Sequence, residues 1–282
     1  MGRMQCLHPS FSPSSGPCRR SRRAAVRALA SAALMSALPL SAQARMALST
    51  AISRTARFRA LSQRMAKAYG QLQLGVLLER AREVLALARQ QVQSGFDALD
   101  RHAWPPEVAR PLAEVRRSAE RLDALLAQAP SKDAVAAVAI QADRMLEAAD
   151  AATQALEKLA QAGTAKLVNT AGRQRMLSQR LAKNYNLLAA GVDARAAREQ
   201  MVADTGEFRR ALSGLGQAPI STPAIRTELE LGQAQWVFFD AALQRQPDAR
   251  GLEAVATTSE RLLEVMDRLT GLYEAALKDV LG

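Results

Sequence analysis

Apolar residues recur every three or four positions over most of this chain. Leu177, Leu181 and Leu188 form one such series, and apolar residues between 252 and 269 form another. No stretch alternates convincingly between apolar and polar residues with a period of two. Because a step of three or four places side chains on one helical face, the pattern predicts an all-α protein. Abundant Ala, Leu, Gln, Arg and Glu, with few β-branched and aromatic residues, favour the same class.

Proline, glycine and capping residues divide this pattern into separate helices. Gly191 followed by Asp193 predicts a helix end and a new N-cap, and Gly75 is its equivalent without the aspartate. At Gly163 the sequence allows either a helix junction or one continuous helix. Clear interruptions are also expected at 104–106, 129–131, 219–223 and 246–248.

The chain contains an internal repeat. "RQRMLSQRLAKNY" at 173–185 matches "RFRALSQRMAKAY" at 57–69 in nine of thirteen positions, at an offset of 116. The acidic stretch 143–150 matches 260–267 at an offset of 117. Two related units, 46–162 and 163–282, are therefore expected, each with four helices of about 22 to 30 residues. This predicts two tandem antiparallel four-helix bundles.

Residues 1–44 have the composition of an export signal. They hold six arginines and no acidic residue, followed by an apolar run at 28–40 and by Ala42-Gln43-Ala44. The run is too short to span a bilayer, so cleavage after Ala44 is expected. A Sec signal and a twin-arginine signal fit the stretch "SRRAAVR" equally well. Either predicts a periplasmic protein.

Removing this leader changes the charge and the available chemistry. The net charge falls from +11 to +5, with 32 basic and 27 acidic residues, which is too small a bias to indicate nucleic-acid binding. Both cysteines lie in the leader, and His102 is then the only histidine. No disulfide, metal centre, cofactor site or catalytic triad is expected, and the protein is not expected to be an enzyme.

The repeated motif places an arginine on a face of small residues. On an ideal helix Arg175 lies opposite the leucine seam, and Arg59 lies among Ala56, Ala66 and Gly70 in the first copy. No acidic residue occurs between 51 and 78 or between 160 and 192. Because a buried unpaired charge is costly, each arginine needs a partner from elsewhere if it is buried. Three alternatives remain open for each arginine: it binds a small planar anion, it pairs with an acidic residue of another helix, or it is exposed to solvent.

"VNTAGRQRMLSQRLAKNY" at 168–185 resembles the signature of the PilJ family, the N-terminal sensor domain of type IV pili methyl-accepting chemotaxis transducers. That family is related to the periplasmic sensors of NarX-type nitrate/nitrite kinases, and the resemblance extends over both copies. In NarX-type sensors the ligand lies between equivalent arginines of two subunits. The resemblance implies this role for Arg175 and, through the repeat, for Arg59. Gly172, Met176 and Arg180 also match.

The chain departs from the nitrate sensors at several positions. The first copy has Ser, Ala and Ala at 53, 56 and 60, where the motif has Asn, Gly and Met. Both copies have Leu and Gln where nitrate sensors carry Gln and Tyr, which leaves the ligand's identity open. The predicted ligand-binding residues are Arg175, Arg59, Gly172, Gln179, Gln63, Arg180 and Arg64.

The function expected from these features is a soluble periplasmic sensor or binding module for a small, nitrate-like anion. No membrane-spanning apolar stretch follows Ala44, so a membrane-bound sensor or transporter partner is expected. Two copies suggest an intrachain pseudo-dimer in which Arg59 and Arg175 share one ligand. The alternatives are a homodimer, or a structural protein whose motif face only docks helices.

Overall fold

The computed structural model describes residues 40–161, 163–220 and 222–281, and over these ranges it contains eight α-helices and no strand. The all-α prediction is confirmed. The helices are α1 (Leu40–Leu74), α2 (Leu78–Leu99), α3 (Pro106–Leu126), α4 (Lys132–Ala160), α5 (Gly163–Ala190), α6 (Ala194–Gly216), α7 (Pro223–Leu243) and α8 (Ala249–Leu281). Most of the predicted export signal, residues 1–39, lies outside the described residues, and the predicted cleavage site falls in the first turns of α1.

The helices end where glycine and proline predicted. Gly75 and Gly191 have φ values of 71° and 63°, in the left-handed region that favours glycine. At the second of these turns Asp193 is the N-cap residue of α6, as predicted, although its side chain makes no capping hydrogen bond. The sequence allowed either one continuous helix through Gly163 or two helices. The structure has two, because α4 ends at Ala160 and α5 begins at Gly163.

Apolar faces of the helices form one extensive core. In the first four helices Phe58 stacks on Phe96 with ring centroids 4.5 Å apart, and in the last four Phe208 stacks on Trp236 at 4.2 Å. Residues Ser41–Gly282 form one compact unit. The division into 46–162 and 163–282 therefore remains a prediction from the repeat. None of the helices in the described ranges is long and apolar enough to span a bilayer.

Helices α1 and α5 lie side by side in parallel at equivalent positions of the repeat. A Cβ on Gly172 would stand 3.2 Å from the Cβ of Ala56, and one on Gly70 would stand 3.4 Å from the Cβ of Asn186. Helix α8 runs antiparallel along α1, since Arg57 pairs with Asp267 and the later Arg64 with the earlier Glu260. Helix α4 runs along α5 in the same way. We call the meeting of α1, α4, α5 and α8 the junction.

Candidate functional site

The two motif arginines lie at the contact between α1 and α5. Arg59 is 0% exposed and Arg175 is 1% exposed. Their Nη2 atoms lie 3.6 and 3.1 Å from the position that a Cβ on Gly172 would occupy. The absence of a side chain at Gly172 therefore gives both guanidinium groups room to approach the same point of the helix contact.

Every nitrogen of the Arg59 guanidinium has a protein acceptor. Nη1 donates to Asp150 at 2.5 Å, and Nη2 donates to the side-chain oxygen of Asn169 at 2.8 Å and to its carbonyl at 3.3 Å. Nε donates to the carbonyl of Ala56 at 3.4 Å. Burial lowers the pKa of Arg59, and the charge of Asp150 opposes this effect.

Arg175 is held in a similar way but less completely. Its Nη1 donates to Asp267 at 2.8 Å and its Nη2 to the carbonyl of Ser53 at 3.1 Å. Its buried Nε has no acceptor among the residues that the structure describes. Burial lowers the pKa of Arg175 to about 10, against the charge of Asp267, and the charges of Arg57 and Arg59 add to the lowering. The second copy therefore retains a free donor that the first copy has used.

Both arginines thus find a counter-charge on another helix, which was one of the alternatives left open by the sequence. The two aspartates are only partly covered, with side-chain exposures of 25% for Asp150 and 40% for Asp267. Each also meets a second arginine across the junction: Arg173 lies 3.6 Å from Asp150, and Arg57 lies 2.6 Å from Asp267. The partner of each buried arginine is therefore an acidic residue of another helix, and neither arginine needs an added anion to balance its charge.

The predicted glutamines do not hydrogen-bond to the arginines in the described part of the chain. Gln63 donates to the carbonyl of Ala142 on α4 at 3.2 Å, and Gln179 donates to the carbonyl of Ser259 on α8 at 3.0 Å. Their buried side-chain oxygens find no donor in the same ranges. These amides connect α1 with α4 and α5 with α8, which is a positioning role.

Arg64 and Arg180 occupy equivalent motif positions but take different partners. Arg180 pairs with the buried Asp204 on α6, with contacts of 2.5 and 2.8 Å. The equivalent of Asp204 in the first copy is Ala88, so Arg64 has no such carboxylate and pairs with Glu260 on α8. Arg180 is therefore engaged with α6, and its place in the ligand set stays a prediction.

Glu260 pairs with two cationic side chains of α1 at the junction. It accepts hydrogen bonds from Arg64 and from Lys67, whose side chain is 1% exposed. Burial alone would raise the pKa of Glu260, but the charge of Lys67 and the hydrogen bonds and charge of Arg64 outweigh it and lower the pKa to about 2. This carboxylate therefore remains ionised at neutral pH and joins α1 to α8.

A cavity of about 220 Å³ reaches Arg175 at the junction. Its charged lining consists of three arginines and three acidic residues, Arg57, Arg64, Arg175, Glu260, Glu264 and Asp267. Of these lining residues, only Arg64 and Arg175 belong to the ligand set predicted from the sequence. The missed signal was the repeat itself, because Arg57 opens the motif and Asp267 ends the repeated acidic stretch.

No group of three or more His, Cys, Asp or Glu side chains within the described ranges is arranged to hold a metal ion. The chemistry of the junction is that of guanidinium, ammonium and carboxylate groups in close pairs. Such groups bind and position charged ligands.

Comparison with known proteins finds one similarity, in the second half of the chain. No curated protein sequence and no solved structure matches the chain. Residues 160–261 match the family model of the type IV pili methyl-accepting chemotaxis transducer N-terminal domain, PilJ, which is not an enzyme family. The matched range covers α5, α6, α7 and the first part of α8, and it includes Arg175. Residues 160–261 are therefore similar to the PilJ domain, the N-terminal domain of type IV pili methyl-accepting chemotaxis transducers.

Proposed function

We propose that this protein is a PilJ-type sensor that binds one small, nitrate-like anion at the junction between α1 and α5. The observation that carries the proposal is the pair of buried guanidinium groups that approach Gly172 from two helices. Like charges held close together in a buried place favour an added negative charge. A guanidinium also binds a planar oxyanion through two parallel hydrogen bonds.

The free Nε of Arg175 is the first contact of the incoming anion. It is a buried donor without an acceptor in the described part of the chain, and such a donor costs about 1–3 kcal/mol when it stays unsatisfied. The adjacent cavity of about 220 Å³ is large enough for an oxyanion of four atoms. The second guanidinium, of Arg59, adds positive potential from the other helix.

Because of the two aspartates, anion binding at this site is reversible and changes the ion pairs of the junction. Asp150 and Asp267 hold the arginines in the structure described, and an anion competes with them for the same donors. Release of Asp267 from Arg175 also releases it from Arg57 and so loosens α8 from α1. The junction then has two conformations, with α8 held on α1 or loosened from it, and the two bind the anion with different affinity. Coupling to a partner requires this difference.

The proposed setting is the periplasm, after export by the leader at 1–44. There the protein passes its state to a membrane-bound sensor or transporter. The resemblance of the motif to that of NarX-type sensors supports the ligand class, and the basic, acid-free leader supports export.

Thermal unfolding in different anions tests the binding. Nitrate, nitrite, sulfate and chloride are compared at equal ionic strength on the protein and on its Arg175→Ala and Arg59→Ala variants. A ligand at 100 times its Kd stabilises the folded state by about 2.7 kcal/mol, so the preferred anion raises the Tm of the unmodified protein only. Arg89→Ala, which removes an exposed pair between α2 and α3, is the control that retains the shift.

The second candidate function is a helical structural or interaction protein. It is favoured by one observation: each motif arginine already has a carboxylate partner, at 2.5 Å for Arg59 and 2.8 Å for Arg175. In that case the arginines only fasten helices together. Identical melting in all four anions supports this function and contradicts the sensor proposal.

A further inference from the structure

A second cavity, of about 380 Å³, lies between α4, α5 and the start of α6. Its apolar walls include Ile140, Leu146, Leu187 and Val192. Arg175 and Arg59 are not among the residues that line it. A volume of a few hundred Å³ with apolar walls and a few polar groups is typical of a small-molecule site.

An unsatisfied donor lies in the lining of this cavity. Asn184 is 3% exposed, and its Nδ2 has no acceptor among the described residues. The neighbouring Lys183 is also 3% exposed, and its ammonium group contacts both oxygens of Asp143 at 2.7 and 2.9 Å. Since an ammonium has three protons, Lys183 retains one donor for a ligand. The two side chains together can hold a carboxylate.

Acidic side chains line the same cavity. Asp143 has a side-chain exposure of 47%, and Glu147 and Asp193 are exposed. Neither Glu147 nor Asp193 has an ion-pair partner within the described ranges. These groups attract a cation to the same space that offers donors to a carboxylate.

We propose that this cavity binds a zwitterion of the α-amino-acid class with an apolar side chain. Its carboxylate accepts hydrogen bonds from Asn184 and Lys183. Its ammonium lies among the carboxylates of Asp143, Glu147 and Asp193, and its side chain packs on the apolar wall. Arg180 also lines the cavity, but its charge is balanced by Asp204, as that of Lys183 is by Asp143. A simple anion would therefore meet the carboxylates of Glu147 and Asp193, which have no ion-pair partner in the described ranges. A simple amine would leave the donor of Asn184 unsatisfied.

The first half of the chain lacks the distinguishing residues. At the offset of 116, Asn184 corresponds to Ala68 and Asp193 to Leu77, while the lysine of the pair is kept as Lys67. Lys67 is paired with a glutamate there, so the lysine–acid pair belongs to both halves. The amide donor and the acidic turn belong to the second half alone. One site per chain follows, and Arg180 is the one residue of the predicted anion-binding set that also lines it.

Isothermal titration calorimetry tests the site with L-leucine, L-valine and L-alanine. Acetate and isobutylamine serve as probes that carry only one of the two charges. We expect saturable binding of at least one amino acid, one molecule per chain, with no binding of either single-charge probe. If no amino acid binds, or if acetate or isobutylamine binds as tightly, the proposal is overturned.

Asn184→Ala supplies the matched variant, because Ala68 occupies the same place in the first copy. We expect at least tenfold weaker binding, with the folded state checked by thermal unfolding. Asp193→Asn is the second variant; it lies on the surface, and asparagine tolerates the φ of 40° found there. We expect at least threefold weaker binding. If both variants bind the amino acid as tightly as the unmodified protein does, the proposed site is wrong. Arg175→Ala should bind the amino acid with unchanged affinity.

Discussion

Replacement of Glu260 by glutamine should lower the free energy of unfolding more than any substitution of an exposed residue on α8. The pKa of Glu260 is about 2 in the folded chain, against an ordinary value of 4.5. Because one pKa unit corresponds to about 1.4 kcal/mol, the ionised carboxylate stabilises the folded state by about 3 kcal/mol. Removal of one partner from a buried ion pair costs a similar amount, about 3–5 kcal/mol, because Lys67 and Arg64 lose their counter-charge.

The pH dependence of this effect has a definite sign. A depressed folded-state pKa contributes stability that is fully present above the unfolded value and is lost as the pH falls through the folded value. The difference in unfolding free energy between Glu260→Gln and the unmodified protein should therefore be about 3 kcal/mol at pH 7 and about 1.4 kcal/mol at pH 3.

Urea unfolding of both proteins at the two pH values measures this difference. Glu264→Gln, an exposed change one turn further along α8, is the control and should alter stability by less than about 0.5 kcal/mol. A difference that stays constant between pH 7 and pH 3 would refute the reasoning. So would a cost of less than about 1 kcal/mol at pH 7.

Three other substitutions probe the site. Gly172→Ala should destabilise the fold by about 1–3 kcal/mol in thermal unfolding, because its Cβ would meet side-chain atoms at 3.1 and 3.2 Å; Gly271→Ala, which has open space, should be neutral or stabilising. Arg180→Ala should cost about 3–5 kcal/mol in urea unfolding, since it leaves Asp204 buried without a cation, yet anion affinity in calorimetry should stay unchanged. Asp267→Asn should tighten anion binding at least threefold, because the competing charge is removed while the shape is kept; weaker binding would contradict a competition between ligand and aspartate.

The helices were predictable from sequence because each depends on local signals. The three- and four-residue spacing of apolar residues predicted the helical class. Gly75 and Gly191 predicted two turns that the structure contains. The buried arginines were also predictable, since small residues on the same face allow close approach of a second helix. These features depend on side chains within one or two turns of one another.

Partner choice was less predictable because it depends on packing between distant segments. Asp150 lies 91 residues from Arg59 in the chain, so the pairing appears only once α4 folds back along α1. The different partners of Arg64 and Arg180 arise from Ala88 and its equivalent, Asp204. That single difference lies outside the motif, and only an alignment of the two copies beyond the motif reveals it.

The most direct test of the central claim observes the free donor of Arg175. In a ¹H–¹⁵N spectrum the Nε–H resonance of Arg175 is assigned by its loss in Arg175→Lys, and nitrate, nitrite and chloride are then titrated at constant ionic strength. The sensor account predicts a saturable shift of that resonance with nitrate or nitrite, at one anion per chain. A resonance that stays fixed in every anion would contradict it.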